Sequence, residues 1–196
     1  YLTAEVMIPL AFLLSPPELL EALLDDELFV LDSTRYHHYQ LINLQNVLQP
    51  GTLNLEQTWG VAVACAWAAR NRQLTHALVA DAKAKGVSDA VLEDAKAAAV
   101  MMGMNNVYYR FRHVMGKESY EQKPARLRML RLKQVASNQV DFELFSAAVS
   151  SVNFCEACLK SHEAVVLEGG LTEDHVHDAI RIAATVHAAA VALEAS

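Results

Sequence analysis

Two cysteines separated by two residues, Cys155 and Cys158, carry the clearest chemical signal in the sequence, and His162 follows one helical turn later. At about 100° per residue, the three side chains fall within an arc of about 60° on one face of a helix. The two thiols can therefore meet each other, and the imidazole can reach them. This arrangement suits thiol chemistry that is assisted by a base.

The thiols need activation, because a free cysteine with a pKa of about 8.5 is mostly protonated at neutral pH. Asn153 and Glu156 have the residue types and spacing of a capping box, which predicts that Cys155 lies in the first turn of a helix. The helix dipole contributes only about 0.3–1 kcal/mol there, which is less than one pKa unit. We therefore expect His162 to act as the base.

An imidazole base needs a partner that fixes its tautomer and position, and Glu143 is the candidate. If the chain reverses at Asn153, position 143 lies opposite positions 163 to 164 of the returning helix. On one continuous helix, Glu143 would instead lie about 30 Å from His162. The hypothesis therefore depends on a hairpin, in which the carboxylate and imidazole could move a proton to and from a cysteine.

Two other interpretations of the cysteine pair stay open. The pair could be half of a zinc site, although the sequence has no second Cys-x-x-Cys and no histidines at a recognised ligand spacing. It could also consist of inert core residues. The third cysteine, Cys65, lies in an apolar run, and we expect it to be a buried thiol that acts as a small hydrophobe.

The composition predicts a soluble globular protein that does not bind nucleic acid. Hydrophobic residues make up 53% of the chain, the formal net charge is −7, and basic residues cluster only at Lys123–Lys133. No apolar run approaches the length of about 18 residues that spans a bilayer. Met7–Leu14 fits a buried or subunit-covering helix better than a secretion signal. The 3 cysteines favour a reducing compartment, and we expect a cytoplasmic location.

Apolar residues recur at helical spacing in long Ala-rich stretches, whereas alternating strand-like patterns are hard to find, so we predict an all-α fold. We predict helices at Pro17–Asp26, Leu55–Lys85 with a break allowed near residues 70–73, Asp89–Met115, Asp141–Val152, Cys155–Glu168 and Glu173–Ala195.

Two predicted helix starts resemble each other, since Ser88 and Thr172 can each cap a helix and each follows a glycine suited to ending the previous one. Residues 86–95 align with residues 170–179 at a constant offset of 84. We interpret this as an internal duplication of a helical hairpin unit, with a degenerate first copy over about 55–115 and a catalytic second copy over about 138–196. The predicted domains are an N-terminal helical extension over residues 1–47 and a main domain over residues 48–196.

Three stretches of the sequence, in order, resemble the alkyl hydroperoxidase AhpD family within the wider carboxymuconolactone decarboxylase-like group. They are Thr58–Gly60 leading to Ala69–Asn71, then Met102–Arg110, and then Asp141–Glu163. The last stretch keeps the family's spacing of twelve residues between Glu143 and Cys155. The resemblance covers most of the chain from about Leu48 onward, and it implies a multihelical, duplicated AhpD-like fold that is usually a homotrimer.

By this resemblance the protein would be an antioxidant thiol–disulfide oxidoreductase with alkyl hydroperoxidase activity, whose cysteine pair cycles between dithiol and disulfide. Cys158 would attack the peroxide or form a mixed disulfide with a partner. Cys155 would resolve that intermediate, while His162 and Glu143 would relay the proton.

The resemblance also implies an AhpC-type peroxiredoxin as partner, dihydrolipoamide on a lipoylated acyltransferase as electron donor, and no tightly bound cofactor. Many family members have a histidine directly before the second cysteine, whereas this chain has Ala157, so any part that histidine plays in the relay is absent. The alternatives are a non-redox carboxymuconolactone decarboxylase-like enzyme on the same fold and a non-catalytic helical binding protein.

Overall fold

The computed structural model describes the backbone of residues 33–195 and the side chains of residues 39–195. The predicted helix Pro17–Asp26 and the apolar stretch Met7–Leu14 lie outside the described residues. Residues 33–195 are all-α, as predicted, and contain no strand. The α-helices are α1 (Ser33–Val47), α2 (Leu55–Ala69), α3 (Arg72–Ala84), α4 (Asp89–Met115), α5 (Glu118–Glu121), α6 (Gln139–Val152), α7 (Glu156–Glu168) and α8 (Glu173–Glu194).

The predicted helix bounds agree closely with these elements. Helix α4 begins and ends where predicted, and Gly103 does not interrupt it. The predicted helix Leu55–Lys85 breaks where the sequence allowed it, because Arg70 ends α2 with a φ of 64° and the Asn71 side chain caps α3. Helix α1 was not predicted, because polar and aromatic residues interrupt its apolar pattern.

The hydrophobic core lies between α2, α4, α6 and α8, and α1 packs against α8. Phe142 and Phe145 of α6 and Met102 of α4 are fully buried in this region. Helices α2 and α6 approach each other closely at Gly60, where an added Cβ would lie 2.2 Å from the Phe145 ring. The absence of a side chain at residue 60 therefore sets the position of α6, the helix that carries Glu143.

Helices α2–α4 and α6–α8 repeat the same boundary geometry at an offset of 84 residues. Left-handed backbone conformations occur at Arg70 and Phe154 before the second helix of each set, and at Gly86 and Gly170 before the third. The N-cap residues also correspond in pairs, which are Asn54 with Asn138, Asn71 with Cys155, and Ser88 with Thr172.

A single buried carboxylate ties the segment between α4 and α6 to the core. Asp94 of α4 accepts hydrogen bonds from the backbone N–H groups of Ala136 (2.9 Å) and Ser137 (2.7 Å) and from the Ser137 hydroxyl (2.7 Å). It also pairs with the Arg131 guanidinium. Burial acts to raise the pKa of Asp94, but these hydrogen bonds outweigh it and hold the pKa below its ordinary value. The bonds fix the chain just before α6 begins.

Helix α8 is the one helix in residues 33–195 that is long and apolar enough to cross a membrane by length and composition. Its side chains Val176, Ile182 and Val186 are buried in the core, where α8 packs against α1, α2 and α6. Core packing therefore accounts for the hydropathy of this helix.

Candidate active site

The two cysteines lie at the turn between α6 and α7. Asn153 ends α6, Phe154 takes a left-handed conformation with a φ of 53°, and Cys155 is the N-cap residue of α7. Cys155 and Cys158 form a disulfide with a Cα–Cα distance of 5.3 Å. Both residues are buried, and Cys158 (7% exposed) is more exposed than Cys155 (1% exposed).

The predicted capping box at Asn153 and Glu156 is wrong. The Asn153 side chain does not cap α7, because its Nδ2 donates a hydrogen bond to Oδ1 of Asn106 on α4 (2.9 Å). Cys155 therefore lies at the N-cap itself, two positions earlier in the helix than the capping box predicted, and no side chain caps the helix there. A tertiary contact from α4 outweighs the local capping preference.

Glu143 and His162 meet across the hairpin formed by α6 and α7. Oε2 of Glu143 lies 2.6 Å from Nδ1 of His162, and each side chain is 13% exposed. The hairpin on which this contact depends is present, since the chain reverses at Asn153–Cys155. A carboxylate at Nδ1 fixes the orientation of the ring.

The second carboxylate oxygen of Glu143 is held as well. Oε1 accepts a hydrogen bond from Nε2 of Gln139, one turn earlier on α6 (3.1 Å). The same amide donates to the backbone carbonyl of Leu132, in the segment that Asp94 ties down (3.1 Å). Gln139 therefore connects the glutamate to the segment that precedes α6.

Nε2 of His162 faces Met102 of α4, whose Sδ lies 3.2 Å away and is fully buried. Sδ of Met102 also lies 3.7 Å from Nδ2 of Asn106. The imidazole is thus enclosed between α4 and α6, and in this disulfide form its second nitrogen contacts a thioether.

Asn106 and Arg110 of α4 hold the turn that precedes Cys155. The buried Asn106 amide donates to Oγ of Ser150 (2.9 Å) while its Oδ1 accepts from Asn153. Arg110 donates to the carbonyl of Asn153 (2.6 Å). Sequence reasoning assigned no role to Met102, Asn106 or Arg110, although all three lie in the stretch Met102–Arg110 that resembles the AhpD family. Their shared motif was the available signal.

A charged cluster lies outside the disulfide. Glu156 points away from the sulfurs and contacts Lys160 (2.6 Å) and His113 of α4 (3.6 Å). The hydrogen bond and charge of Lys160, and then the charge of His113, lower the pKa of Glu156. Glu156 is therefore an ionised carboxylate at the solvent-exposed start of α7.

Cys65 is a fully buried core residue of α2, as predicted, and burial raises the pKa of its thiol. This thiol is unreactive for that reason. Within residues 33–195, no group of three or more His, Cys, Asp and Glu side chains is arranged to hold a metal ion.

An all-helical fold in which a Cys-x-x-Cys pair closes into a disulfide beside an imidazole–carboxylate pair defines a dithiol–disulfide protein. The sequence pattern of the Carboxymuconolactone decarboxylase family matches residues 120–196, which include this site.

Several proteins named alkyl hydroperoxide reductase AhpD are similar to the chain over most of their length. One from Anaeromyxobacter sp. (strain K) is 65% identical over 153 residues, which cover 78% of this chain and 82% of that protein. Another from Rhodospirillum centenum is 46% identical over 154 residues, or 79% of this chain and 82% of that protein. A third from Brucella suis is 44% identical over 155 residues, or 79% and 88%. The chain belongs to the AhpD family.

Proposed function

We propose that the protein is an antioxidant alkyl hydroperoxide reductase that works by dithiol–disulfide exchange. The observation that carries this proposal is the disulfide between Cys155 and Cys158, one helical turn from the His162–Glu143 pair. Membership of the AhpD family and the names of the similar proteins support the same activity.

In the proposed reaction, the Cys158 thiolate attacks the outer oxygen of the hydroperoxide. The O–O bond breaks, an alcohol leaves, and Cys158 becomes a sulfenic acid. The Cys155 thiol then displaces water and forms the disulfide, so that two thiols and one hydroperoxide give a disulfide, an alcohol and water. His162, oriented by Glu143, takes the proton from Cys158 and returns it to the leaving alkoxide.

We propose dihydrolipoamide, carried on a lipoylated acyltransferase, as the electron donor. Its two thiols reduce the disulfide through a mixed disulfide with Cys158, which is more exposed than Cys155. The same mixed-disulfide chemistry would serve an AhpC-type peroxiredoxin as partner. A reducing cytoplasm, which keeps the donor in its dithiol form, suits this cycle.

We propose that the protein assembles as a homotrimer through α4. One face of this helix exposes Val100, Val107, Phe111 and Val114, and we call these four residues the α4 stripe. Trp67 adds to the same surface, across a groove of about 400 Å³. A contiguous exposed apolar surface of this kind is typical of protein interfaces.

We propose that the fold arose by duplication of a three-helix unit, within a main domain over residues 48–196 that follows the N-terminal extension over residues 1–47. The repeated boundary geometry supports this proposal. At the same offset of 84, the first copy carries Trp59, Leu74 and Leu78 in place of Glu143, Cys158 and His162. These three side chains are buried and apolar, so thiol chemistry is confined to the second copy.

Mass spectrometry and steady-state kinetics test the function. The reduced protein treated with an organic hydroperoxide should lose two hydrogens across the peptide that contains Cys155 and Cys158. Cys158→Ser should abolish peroxide turnover with dihydrolipoamide as donor. An unchanged dithiol would favour the non-redox decarboxylase-like alternative or a non-catalytic binding role. Peroxide turnover that survives replacement of both cysteines would refute the roles assigned to them.

A further inference from the structure

The start of α7 has an N-cap residue but no side-chain cap. Cys155 has the extended conformation of an N-cap, with φ −102° and ψ 90°, and its carbonyl accepts from the Leu159 N–H (2.9 Å). The side chain of Asn153, which could have served as a cap, is occupied by Asn106. In the disulfide form, no side chain accepts a hydrogen bond from the first N–H groups of the helix.

Helix α3, which is equivalent to α7 at the offset of 84, has an N-cap residue whose side chain does cap the helix. Asn71 is the N-cap of α3, and its Oδ1 accepts a hydrogen bond from the backbone N–H of Leu74 (2.8 Å). Asn71 follows Arg70, which is in the left-handed conformation, just as Cys155 follows Phe154. At the offset of 84, the cap residue Asn71 corresponds to Cys155, and the N–H of Leu74 corresponds to that of Cys158.

We infer that reduction of the disulfide turns Cys155 into the cap of α7, with its thiolate accepting a hydrogen bond from the backbone N–H of Cys158. In the disulfide, Sγ of Cys155 makes no cap hydrogen bond. Once the bond to Cys158 is broken, the Cys155 side chain is free to rotate toward the Cys158 N–H, as Oγ of Ser88 reaches the N–H of Val91 at the start of α4 (3.4 Å). A thiolate there gains a charge-assisted hydrogen bond and the positive end of the helix dipole.

This inference rests on the proposed exchange reaction and assigns Cys155 a further part in it. A donor thiolate forms a new S–S bond with Sγ of Cys158, the bond between Cys158 and Cys155 breaks, and its electron pair leaves on Sγ of Cys155. A leaving thiol with a lower pKa departs faster. The cap would therefore direct attack to Cys158, because the thiolate that leaves is the one that the helix start stabilises.

Taken together, the charged groups around the start of α7 do not disfavour a thiolate at Cys155. Glu156 is the adjacent carboxylate, but Lys160 and His113 of α4 pair with it on the outer side. Arg110 of α4 adds a positive charge at the turn, where it donates to the Asn153 carbonyl. Glu143 and His162 form their own pair across the hairpin. The negative charge of Glu156 is therefore offset near Cys155.

An NMR titration of the reduced wild-type protein, carrying ¹³C-labelled cysteine and ¹⁵N-labelled backbone, tests the cap. We expect Cys155 to ionise at least about one pH unit below the reference value of about 8.5, because the charge-assisted hydrogen bond from the Cys158 N–H adds to the helix dipole. The backbone N–H resonance of Cys158 should shift with the same midpoint. Cys65, which is buried in the middle of α2, provides an internal reference and should ionise at a higher pH than either active-site cysteine.

A Cys155 midpoint at or above the reference value would overturn the inference, and so would a Cys158 N–H resonance that does not follow it. The titration uses no peroxide, donor or partner protein. It therefore gives its answer even if the protein lacks peroxide turnover, and a failed activity assay would count against the proposed function alone.

Discussion

Oε2 of Glu143 lies 2.6 Å from Nδ1 of His162, although the two residues are separated by the whole turn that carries the cysteines. The contact joins two packed helices, and both side chains are largely removed from water. The glutamate can therefore hold the imidazole in one orientation before any substrate arrives, as the proposed proton relay requires.

Because the two residues act as one unit in the proposed relay, Glu143→Gln and His162→Asn should each lower peroxide turnover by about 10²-fold or more. The double variant should be little worse than the poorer single variant, since either change already breaks the relay. Steady-state rates of all four proteins at saturating donor give this comparison. Glu168→Gln makes the same charge change at the exposed end of α7 and should retain wild-type turnover. If the double variant instead lost turnover by the product of the two single losses, the two residues would not share one role.

Asp94→Asn should destabilise the protein by about 2–4 kcal/mol at neutral pH, because a buried carboxylate that accepts from Ala136 and Ser137 and pairs with Arg131 is replaced by a neutral amide. The folded pKa of Asp94 is lowered, so its stabilisation is complete above the unfolded value of about 3.9 and is lost as the pH falls through the folded pKa. Urea unfolding from pH 7 to pH 2 should therefore show a shallower acid decline in the variant. As a control, Asp89→Asn at an exposed position should change the free energy of unfolding by less than about 1 kcal/mol. If the free energy of unfolding fell equally at low pH in Asp94→Asn and wild type, the prediction would be wrong.

Gly60→Ala should cost about 1–3 kcal/mol, since the new Cβ would overlap the Phe145 ring unless α2 and α6 separate. Phe145→Leu should recover part of that loss in the double variant by removing the ring atoms that meet the Cβ. Gly103→Ala is the matched control, because no atom lies within 4 Å of its Cβ position, and it should stabilise α4 by about 0.5–1 kcal/mol. Chemical denaturation of the wild-type protein and of these variants measures the free energy of unfolding. If Gly60→Ala left it unchanged, the packing between α2 and α6 at Gly60 would not be tight.

Val107→Glu should shift the protein toward the monomer, because it places a charge within the α4 stripe that the proposed homotrimer buries. Light scattering coupled to size-exclusion chromatography gives the mass of each variant. Val191→Glu introduces the same charge at an exposed position on α8 and should leave the assembly unchanged. Unchanged mass for Val107→Glu would remove the stripe from the interface.

Most of the helices, and the four side chains of the cysteine pair and the imidazole–carboxylate pair, could be predicted from the sequence because they depend on short-range periodicity. Cys158 and His162 share a face through helical spacing alone, and one reversal of the chain is enough to bring Glu143 to His162. The boundary at Ser88 likewise followed from a local cap. Each of these signals is contained within a few turns of the chain.

Features that depend on distant partners could not be predicted in this way. Asn153 has the local pattern of a helix cap, yet Asn106, 47 residues away, takes its side chain. Asp94 appears in the sequence as one more charge on a helix, and only the folded chain brings the N–H groups of Ala136 and Ser137 to it. Met102 has the pattern of an ordinary core residue until α7 brings His162 against it.

The close approach of Gly60 and Phe145 also affects how the chain reaches its fold. This contact joins two three-helix units of similar boundary geometry, and the segment between them spans residues 116–138. The same interface can therefore form within one chain or between the units of two chains, which is the requirement for domain swapping. A higher protein concentration during refolding should raise the fraction of any exchanged species, because only that species depends on a second chain.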